Sequence, residues 1–129
     1  MTGVGDCFEA ALSFVMTVPD DELPSYRVCN GEPIGQGAIE GVRHAHAWVE
    51  HTVEVTWPGI EGYKFPLVTV IDRSNGKDVS MLAQLYYKLG QIEPDEVVRY
   101  EVADARRMAV RHGHWGPWAA HTVQHLGPS

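Results

Sequence analysis

The segment of residues 46–57 alternates between two kinds of side chain, and this regularity constrains the fold more than any other feature of the chain. One set is mostly apolar and the other is mostly polar. The first set is Ala47, Val49, His51, Val53, Val55 and Trp57, and the second is His46, Trp48, Glu50, Thr52, Glu54 and Thr56. A period of two is typical of a β-strand that buries one face. The chain therefore needs a sheet in which this strand can pair.

Further strands and helices are predicted on both sides of this strand. A β-branched run over residues 67–71, ending at Asp72, and segments over residues 26–29 and 97–101 predict three more strands. Apolar periodicity and capping residues predict helices over residues 6–16, 78–89 and 103–112, with Gly90 and Gly113 closing the last two. Helices around a group of strands joined by turns indicate an α+β fold with a mainly antiparallel sheet.

Length and composition narrow the class of protein. The 129 residues allow one domain, residues 1–129, and 44% of them are hydrophobic, as in globular proteins. A formal net charge of -7 argues against nucleic-acid binding, and no apolar run approaches the ~20 residues of a membrane span. Because the N-terminus shows no secretory signal, we expect a cytoplasmic protein, and so compact a chain suits a bacterial or phage source. Cys7 and Cys29 are then expected to be free thiols.

Three residues would carry nucleophilic chemistry if the fold brought them together. Cys7 lies in the first turn of a predicted helix, where the partial positive charge of the helix N-terminus favours a thiolate. His46 can take the thiol proton and later protonate a leaving amine, and Asp72 can fix the imidazole tautomer. Asn75 is an alternative orienting residue. Cys7 also belongs to the apolar stripe of its helix, so a buried structural thiol is the competing interpretation.

A cysteine at the start of an early helix, the strand His46-Ala47-Trp48-Val49-Glu50 and a following strand ending in Asp72 together resemble the transglutaminase-like superfamily. Its members share a papain-like core, in which a helix with the nucleophile packs on a sheet with the other two residues. The resemblance covers residues 5–76 and implies that Cys7 is the nucleophile, His46 the general base and Asp72 the orienting carboxylate.

The resemblance also implies an activity. We expect a small cysteine-dependent hydrolase, or acyl transferase, that acts on an amide or isopeptide bond of a protein or peptide substrate through a thioester. Hydrolysis is favoured over transfer because nothing in the sequence marks a second, amine-binding site. The alternative is a catalytically silent papain-fold module that binds or inhibits a protein partner.

Two further residues are expected at the substrate. The oxyanion of such a reaction needs two donors, of which the backbone N–H of Cys7 is one. Gln36, in the glycine-rich loop of residues 32–41, is the candidate for the other donor and for a substrate contact. Trp48 is expected to flank the site and contact the substrate as well. Glu50 would flank the site or remain a solvated charge.

The register of the main hairpin decides whether His46 and Asp72 can meet. If Trp57 pairs with Leu67, then Asp72 faces Thr52, roughly 20 Å along the strand from His46. If instead His51 pairs near Leu67, then Asp72 faces His46 and residues 52–66 form a long or bulged connection. The sequence permits both registers.

Neither the spaced histidines of the chain nor the two tryptophans near its C-terminus predict a ligand site. The pairs His44/His46, His112/His114 and His121/His125 have ligand-like spacings, but the glutamate of an HExxH motif and any CxxC motif are missing. We therefore expect no metal, and no nucleotide cofactor because no phosphate-binding loop occurs. The two indoles of Trp115-Gly116-Pro117-Trp118 are expected to cover the end of the sheet.

Overall fold

The computed structural model describes residues 6–33 and 45–118, which form an α+β fold. The strands are β1 (Tyr26–Gly31), β2 (His46–Thr56), β3 (Lys64–Asp72), β4 (Val79–Leu82) and β5 (Val98–Glu101). The helices are α1 (Asp6–Val15), α2 (Ala83–Gly90) and α3 (Val102–His112), with 3-10 helices at Asp20–Ser25, Ser74–Gly76 and Pro94–Glu96. Within these residues the sheet has the order β4-β3-β2-β1-β5 and every pairing is antiparallel. The predicted α+β class and antiparallel sheet are confirmed.

β2 is the central strand, and its burial follows the alternation only in part. From Ala47 to Glu50 every side chain is buried, whereas most side chains from Thr52 onward are exposed. The first half is buried on both faces because helices pack on both sides of the sheet there. Ala47 lies among residues of α1, and Trp48 lies among residues of α2. Polar character in one set of the alternation therefore did not mean exposure.

The first core lies between α1, α3 and one face of the sheet. From α1 it takes Leu12 and Val15, which are 2% and 0% exposed, and from the sheet it takes Val49. Trp118 closes this core, since it is 3% exposed and packs edge-to-face on Tyr100 with ring centroids 5.1 Å apart. The expected covering role is thus confirmed for Trp118, while Trp115 is 42% exposed.

The second core lies on the opposite face, under α2, and is built around the Trp48 indole. It comprises Cys29, Trp48, Val70, Tyr87, Ile92 and Val97. β1 passes so close to the indole that a Cβ atom on Gly31 would lie 2.7 Å from Trp48 Cη2. Glycine at position 31 therefore lets the large ring sit against the backbone of the neighbouring strand.

The prediction of one helix over residues 78–89 is wrong in its first part. Val79–Leu82 is the strand β4, paired along the outer edge of β3, and only Ala83–Gly90 is helical. The backbone of β3 would otherwise present unpaired N–H and C=O groups at this edge, so pairing outweighs the local helical pattern. Gly90 is the last residue of the helix, and Gln91, with a φ of 52°, takes the left-handed cap conformation expected for the glycine.

The β2–β3 hairpin adopts neither of the two registers that the sequence permitted. Val53 lies opposite Leu67, and pairing continues to Thr56 and Lys64, so the connection is tighter than either register required. Gly59 and Gly62, with φ angles of 90° and 83°, supply the backbone conformations of this tight turn. The register of the hairpin then decides which side chains meet at its open end.

Candidate active site

His46 and Asp72 meet at one end of the sheet. β2 begins at His46 and the antiparallel β3 ends at Asp72. The pairing of Val49 with Ile71 places Trp48 level with Asp72, so His46 is the diagonal neighbour of Asp72 on the same face, a spacing that side chains can bridge. His46 Nε2 lies 2.9 Å from Asp72 Oδ2, and the two side chains are 13% and 9% exposed.

Asp72 is held by hydrogen bonds on both carboxylate oxygens. Oδ1 accepts from the Ser74 backbone N–H at 3.0 Å and from Ser74 Oγ at 2.7 Å. Oδ2 accepts from the Tyr86 hydroxyl at 2.9 Å and pairs with His46. Burial alone would raise the pKa of Asp72, but the hydrogen bond and positive charge of His46 and the two Ser74 donors hold it well below its usual range. The carboxylate is therefore a fixed negative charge behind the imidazole.

Cys7 approaches His46 from α1. The thiol lies in the first turn of the helix, is 6% exposed, and shares a side-chain hydrogen bond with His46. Burial lowers the pKa of His46, but hydrogen bonds to Asp72 and Cys7 and the charges of both groups raise it to about 9. The imidazole is thus protonated at neutral pH, between the carboxylate of Asp72 and the sulfur of Cys7. All three predicted chemical residues are brought together.

Trp48 flanks the site as expected, with its ring centroid 6.2 Å from that of His46, but it does not take the expected role of a substrate contact. The side chain is 0% exposed in the second core, and its Nε1–H donates to Glu50 Oε2 at 3.1 Å. It therefore cannot contact a substrate from this position. The prediction failed because Trp48 lies on the face of β2 that α2 covers, which the alternation of the strand does not reveal. Its indole instead packs against the rings of Tyr86 and Tyr87.

Glu50 is likewise buried rather than solvated, at 5% exposure. Oε1 accepts from Arg99 Nε at 3.1 Å, and Oε2 accepts from the Tyr87 hydroxyl. Burial, and then the neighbouring Glu50, raise the pKa of Cys29 well above its ordinary value, so Cys29 remains a thiol. The structure confirms that both cysteines are free. Cys7 lies beside His46, whereas Cys29 lies in the second core beside Glu50.

Ser74 and Tyr86 were not singled out by the sequence analysis. A serine two residues after an aspartate is a known turn pattern, in which the carboxylate accepts the backbone N–H, so Ser74 carried a local signal. Tyr86 carried none, because it meets Asp72 only through the packing of α2 on the sheet. Among the described residues these two complete the hydrogen bonds of the carboxylate.

Several predicted residues lie outside the described part of the chain. Gln36, the candidate second oxyanion donor, is one of them, together with His44, His121 and His125. The side chain of Asn75 is also outside it.

The described ranges were also searched for a metal centre and for a membrane span. No group of three or more His, Cys, Asp or Glu side chains in residues 6–33 and 45–118 is arranged to hold a metal ion. None of the helices in these ranges has the length and apolar character needed to cross a bilayer.

Comparison of the chain with models of protein families, with curated proteins and with solved structures finds no match. The assignment of a function therefore depends on the geometry of the site.

Proposed function

We propose that this protein is a cysteine-dependent hydrolase that acts on an amide or isopeptide bond through Cys7, His46 and Asp72, as the resemblance to the transglutaminase-like superfamily implies. The observation that carries the proposal is the chain of contacts from the Asp72 carboxylate through the His46 ring to the Cys7 thiol. A nucleophile, a proton carrier and an orienting anion in this order are what thiol-based acyl transfer requires.

The first half of the reaction forms a thioester. The Cys7 thiolate attacks the substrate carbonyl carbon, and the carbonyl oxygen takes up the negative charge. Because His46 Nε2 is bonded to Asp72, the proton for the leaving amine comes from Nδ1. The carbon–nitrogen bond then breaks, the amine departs with that proton, and the acyl group stays on the sulfur.

The second half releases the acyl group to water. Neutral His46 takes a proton from the water, whose oxygen attacks the thioester carbon. The carbon–sulfur bond breaks, a carboxylic acid leaves, and Cys7 is again a thiolate beside protonated His46. Asp72 stays ionised throughout, since its pKa lies well below the usual range. An amine in place of water would complete the same step as acyl transfer.

The N-terminal end of α1 provides electrostatic support for both halves. The first backbone N–H groups of a helix have no intrahelical acceptor, and the helix end carries a partial positive charge. Cys7 is the second residue of α1, so its sulfur and its backbone N–H lie where negative charge develops. The backbone N–H of Cys7 is the proposed oxyanion donor.

A cavity at the same end of the sheet gives a substrate room to approach. Its volume is about 670 Å³, and its lining includes Phe8, next to Cys7, and Ala45, next to His46. Gly31, which pairs with His46 across β1 and β2, lies in the same lining. Cys7, His46 and Asp72 do not themselves line this cavity, so it offers a substrate an approach beside the thiol rather than the place of reaction.

The experiment that tests the proposal compares the alkylation rates of the two cysteines by iodoacetamide in the native protein. Mass spectrometry of the two cysteine-containing peptides reports each rate. We expect Cys7 to react at least about tenfold faster than Cys29, and His46→Ala to slow only Cys7. Cys29 is the internal control, because it is 0% exposed in the second core.

The opposite result would support a catalytically silent binding or inhibitory module. If Cys7 reacts only when the protein unfolds, and His46→Ala leaves its rate unchanged, the thiol is a core residue and the hydrolase proposal fails. The low exposure of Cys7, 6%, is the observation that favours this alternative.

A further inference from the structure

We propose that Tyr86 is a positioning residue of the site, which shares the Asp72 carboxylate with His46 and so limits how tightly the imidazole holds its proton. The inference depends on the proposed function for its catalytic meaning. The geometry itself is independent of that function.

The inference depends on two contacts to a single oxygen atom of Asp72. Asp72 Oδ2 lies 2.9 Å from His46 Nε2 and 2.9 Å from the Tyr86 hydroxyl. The other oxygen, Oδ1, is occupied by the two Ser74 donors. Tyr86 and His46 therefore compete for the same negative charge, while Ser74 holds the carboxylate in place from the other side.

The packing of the Tyr86 ring holds its hydroxyl against Asp72. Its ring packs on the buried Trp48 indole with centroids 5.3 Å apart, so the hydroxyl is held against Asp72 by a rigid neighbour. Burial, followed by the charge of Asp72, raises the pKa of Tyr86 far above its ordinary value, so the hydroxyl is a hydrogen-bond donor at neutral pH.

A donor on Oδ2 weakens the pull of that oxygen on the imidazolium. A carboxylate that accepts another hydrogen bond has less charge to offer His46, so the imidazole releases its proton more readily. The proton must leave His46 for the amine during thioester formation. Without the Tyr86 hydroxyl, the Asp72–His46 pair would tighten and this proton would become harder to move.

Among the described residues, three elements present titratable groups to this pair. Cys7 faces His46 from α1, Asp72 faces it from β3, and Tyr86 faces Asp72 from α2. The charge of Cys29, from β1, acts on Tyr86, but the raised pKa of Cys29 keeps that thiol neutral. Removal of the Tyr86 hydroxyl therefore takes away one hydrogen bond to Asp72 and leaves the charged groups around His46 in place.

The test is an NMR titration of the His46 ring in the full chain, from about pH 6 to about pH 11. A His46→Gln variant assigns the signal among the 7 histidines. In Tyr86→Phe we expect the pKa of His46 to rise by about half a unit to one unit, because one hydrogen bond to a charged group is lost. An unchanged or lowered pKa in this variant would overturn the inference.

Tyr87→Phe is the matched control. It removes a hydroxyl from the next residue of the same helix, but that hydroxyl donates to Glu50 rather than to Asp72. The pKa of His46 should stay as in the parent protein. If Tyr87→Phe moves it as far as Tyr86→Phe does, the effect comes from loosening of α2 and the inference fails.

A second variant covers the case in which Tyr86→Phe does not fold. Replacement of Tyr86 by 3-fluorotyrosine keeps the shape and makes the hydroxyl a stronger donor, so the pKa of His46 should fall, opposite to the first variant. A rise or no change contradicts the inference.

Iodoacetamide alkylation of Cys7 separates this inference from the proposed function. A Cys7 that is inert in the parent protein rejects the hydrolase, and the titration still decides the role of Tyr86. A reactive Cys7 with no titration shift in Tyr86→Phe rejects the inference alone.

Discussion

At the scale of single residues, the proposed chemistry depends on a proton held by His46. The ring lies between Asp72 and Cys7, and both neighbours favour its charged form. Burial works in the opposite direction, since an imidazolium with 13% of its side chain exposed is poorly hydrated. The effect of the two partners on the pKa of His46 outweighs that of burial. We therefore expect the stability of the fold to depend on alkaline pH.

We expect the free energy of unfolding to fall as pH rises from about 6.5 through about 9. The pKa of His46 is raised from 6.5 to about 9 in the folded protein, so its contribution is complete below the lower value and is lost as pH passes the higher one. The loss should reach about 3 kcal/mol, at roughly 1.4 kcal/mol per pKa unit. Urea titrations at a series of pH values measure it.

The control for this prediction is a histidine far from the pair. His46→Gln should remove most of the alkaline slope, whereas His112→Gln, at the exposed C-terminal end of α3, should leave it in place. Equal slopes in both variants would mean that the loss of stability arises from groups other than His46.

At the scale of elements, helices on both faces of β2 determine what the strand can do. α1 brings the thiol to His46 from one face, and α2 brings Tyr86 to Asp72 from the other. α2 is anchored a second time by Glu50, which accepts from Tyr87 and pairs with Arg99 of β5. Glu50 thus connects β2, β5 and α2 beneath the site without touching it.

Glu50→Gln should therefore destabilise the protein without abolishing Cys7 alkylation. The change leaves the Arg99 guanidinium without its partner carboxylate beside a buried cluster, and losses of about 3 kcal/mol are typical when one member of a buried pair is removed. Arg99 is itself 36% exposed, which should reduce the loss to about 2 kcal/mol.

Glu54→Gln is the matched control, since Glu54 lies on the same strand but is exposed. It should change the free energy of unfolding by less than about 0.5 kcal/mol. Urea denaturation at pH 7 compares the two variants. A cost for Glu50→Gln no larger than that for Glu54→Gln would show that the buried pair does not support α2.

At the scale of the whole molecule, two cores on opposite faces of one sheet hold the three chemical residues together. The first core fixes α1, and with it Cys7, while the second fixes α2. The C-terminal segment takes part through Trp118, which packs on Tyr100 of β5 and donates from Nε1 to the His114 carbonyl at 3.1 Å. The C-terminal end of the described chain therefore belongs to the same core as Cys7 and α1.

Trp118→Ala should cost about 3 to 5 kcal/mol, as usual for loss of a large buried aromatic side chain. Trp115→Ala, three residues earlier and 42% exposed, should cost less than about 1 kcal/mol. Thermal and urea unfolding give both values. Similar costs for the two variants would contradict the placement of Trp118 in the first core.

The sequence by itself predicted most of the local elements, and it singled out the three residues that the structure brings to one end of the sheet. The alternation in residues 46–57 and the helix of residues 6–16 were read correctly, because side-chain periodicity follows from backbone geometry within a few residues. The resemblance singled out Cys7, His46 and Asp72 for the same reason, since each lies at a recognisable end of one element. The hydrogen bonds from Ser74 to Asp72 also follow a local turn pattern, because the two residues are only two positions apart.

Only the tertiary structure decided the register, the burial and the partners. The tight turn at residues 57–63 determines that His46 lies diagonal to Asp72, and pairing with the edge of β3 turned residues 79–82 into a strand. Trp48 and Glu50 are buried because α2, more than thirty residues further along the chain, covers their face of the sheet. Contacts of that kind depend on packing between distant segments, and no local pattern in the sequence encodes which segment will arrive.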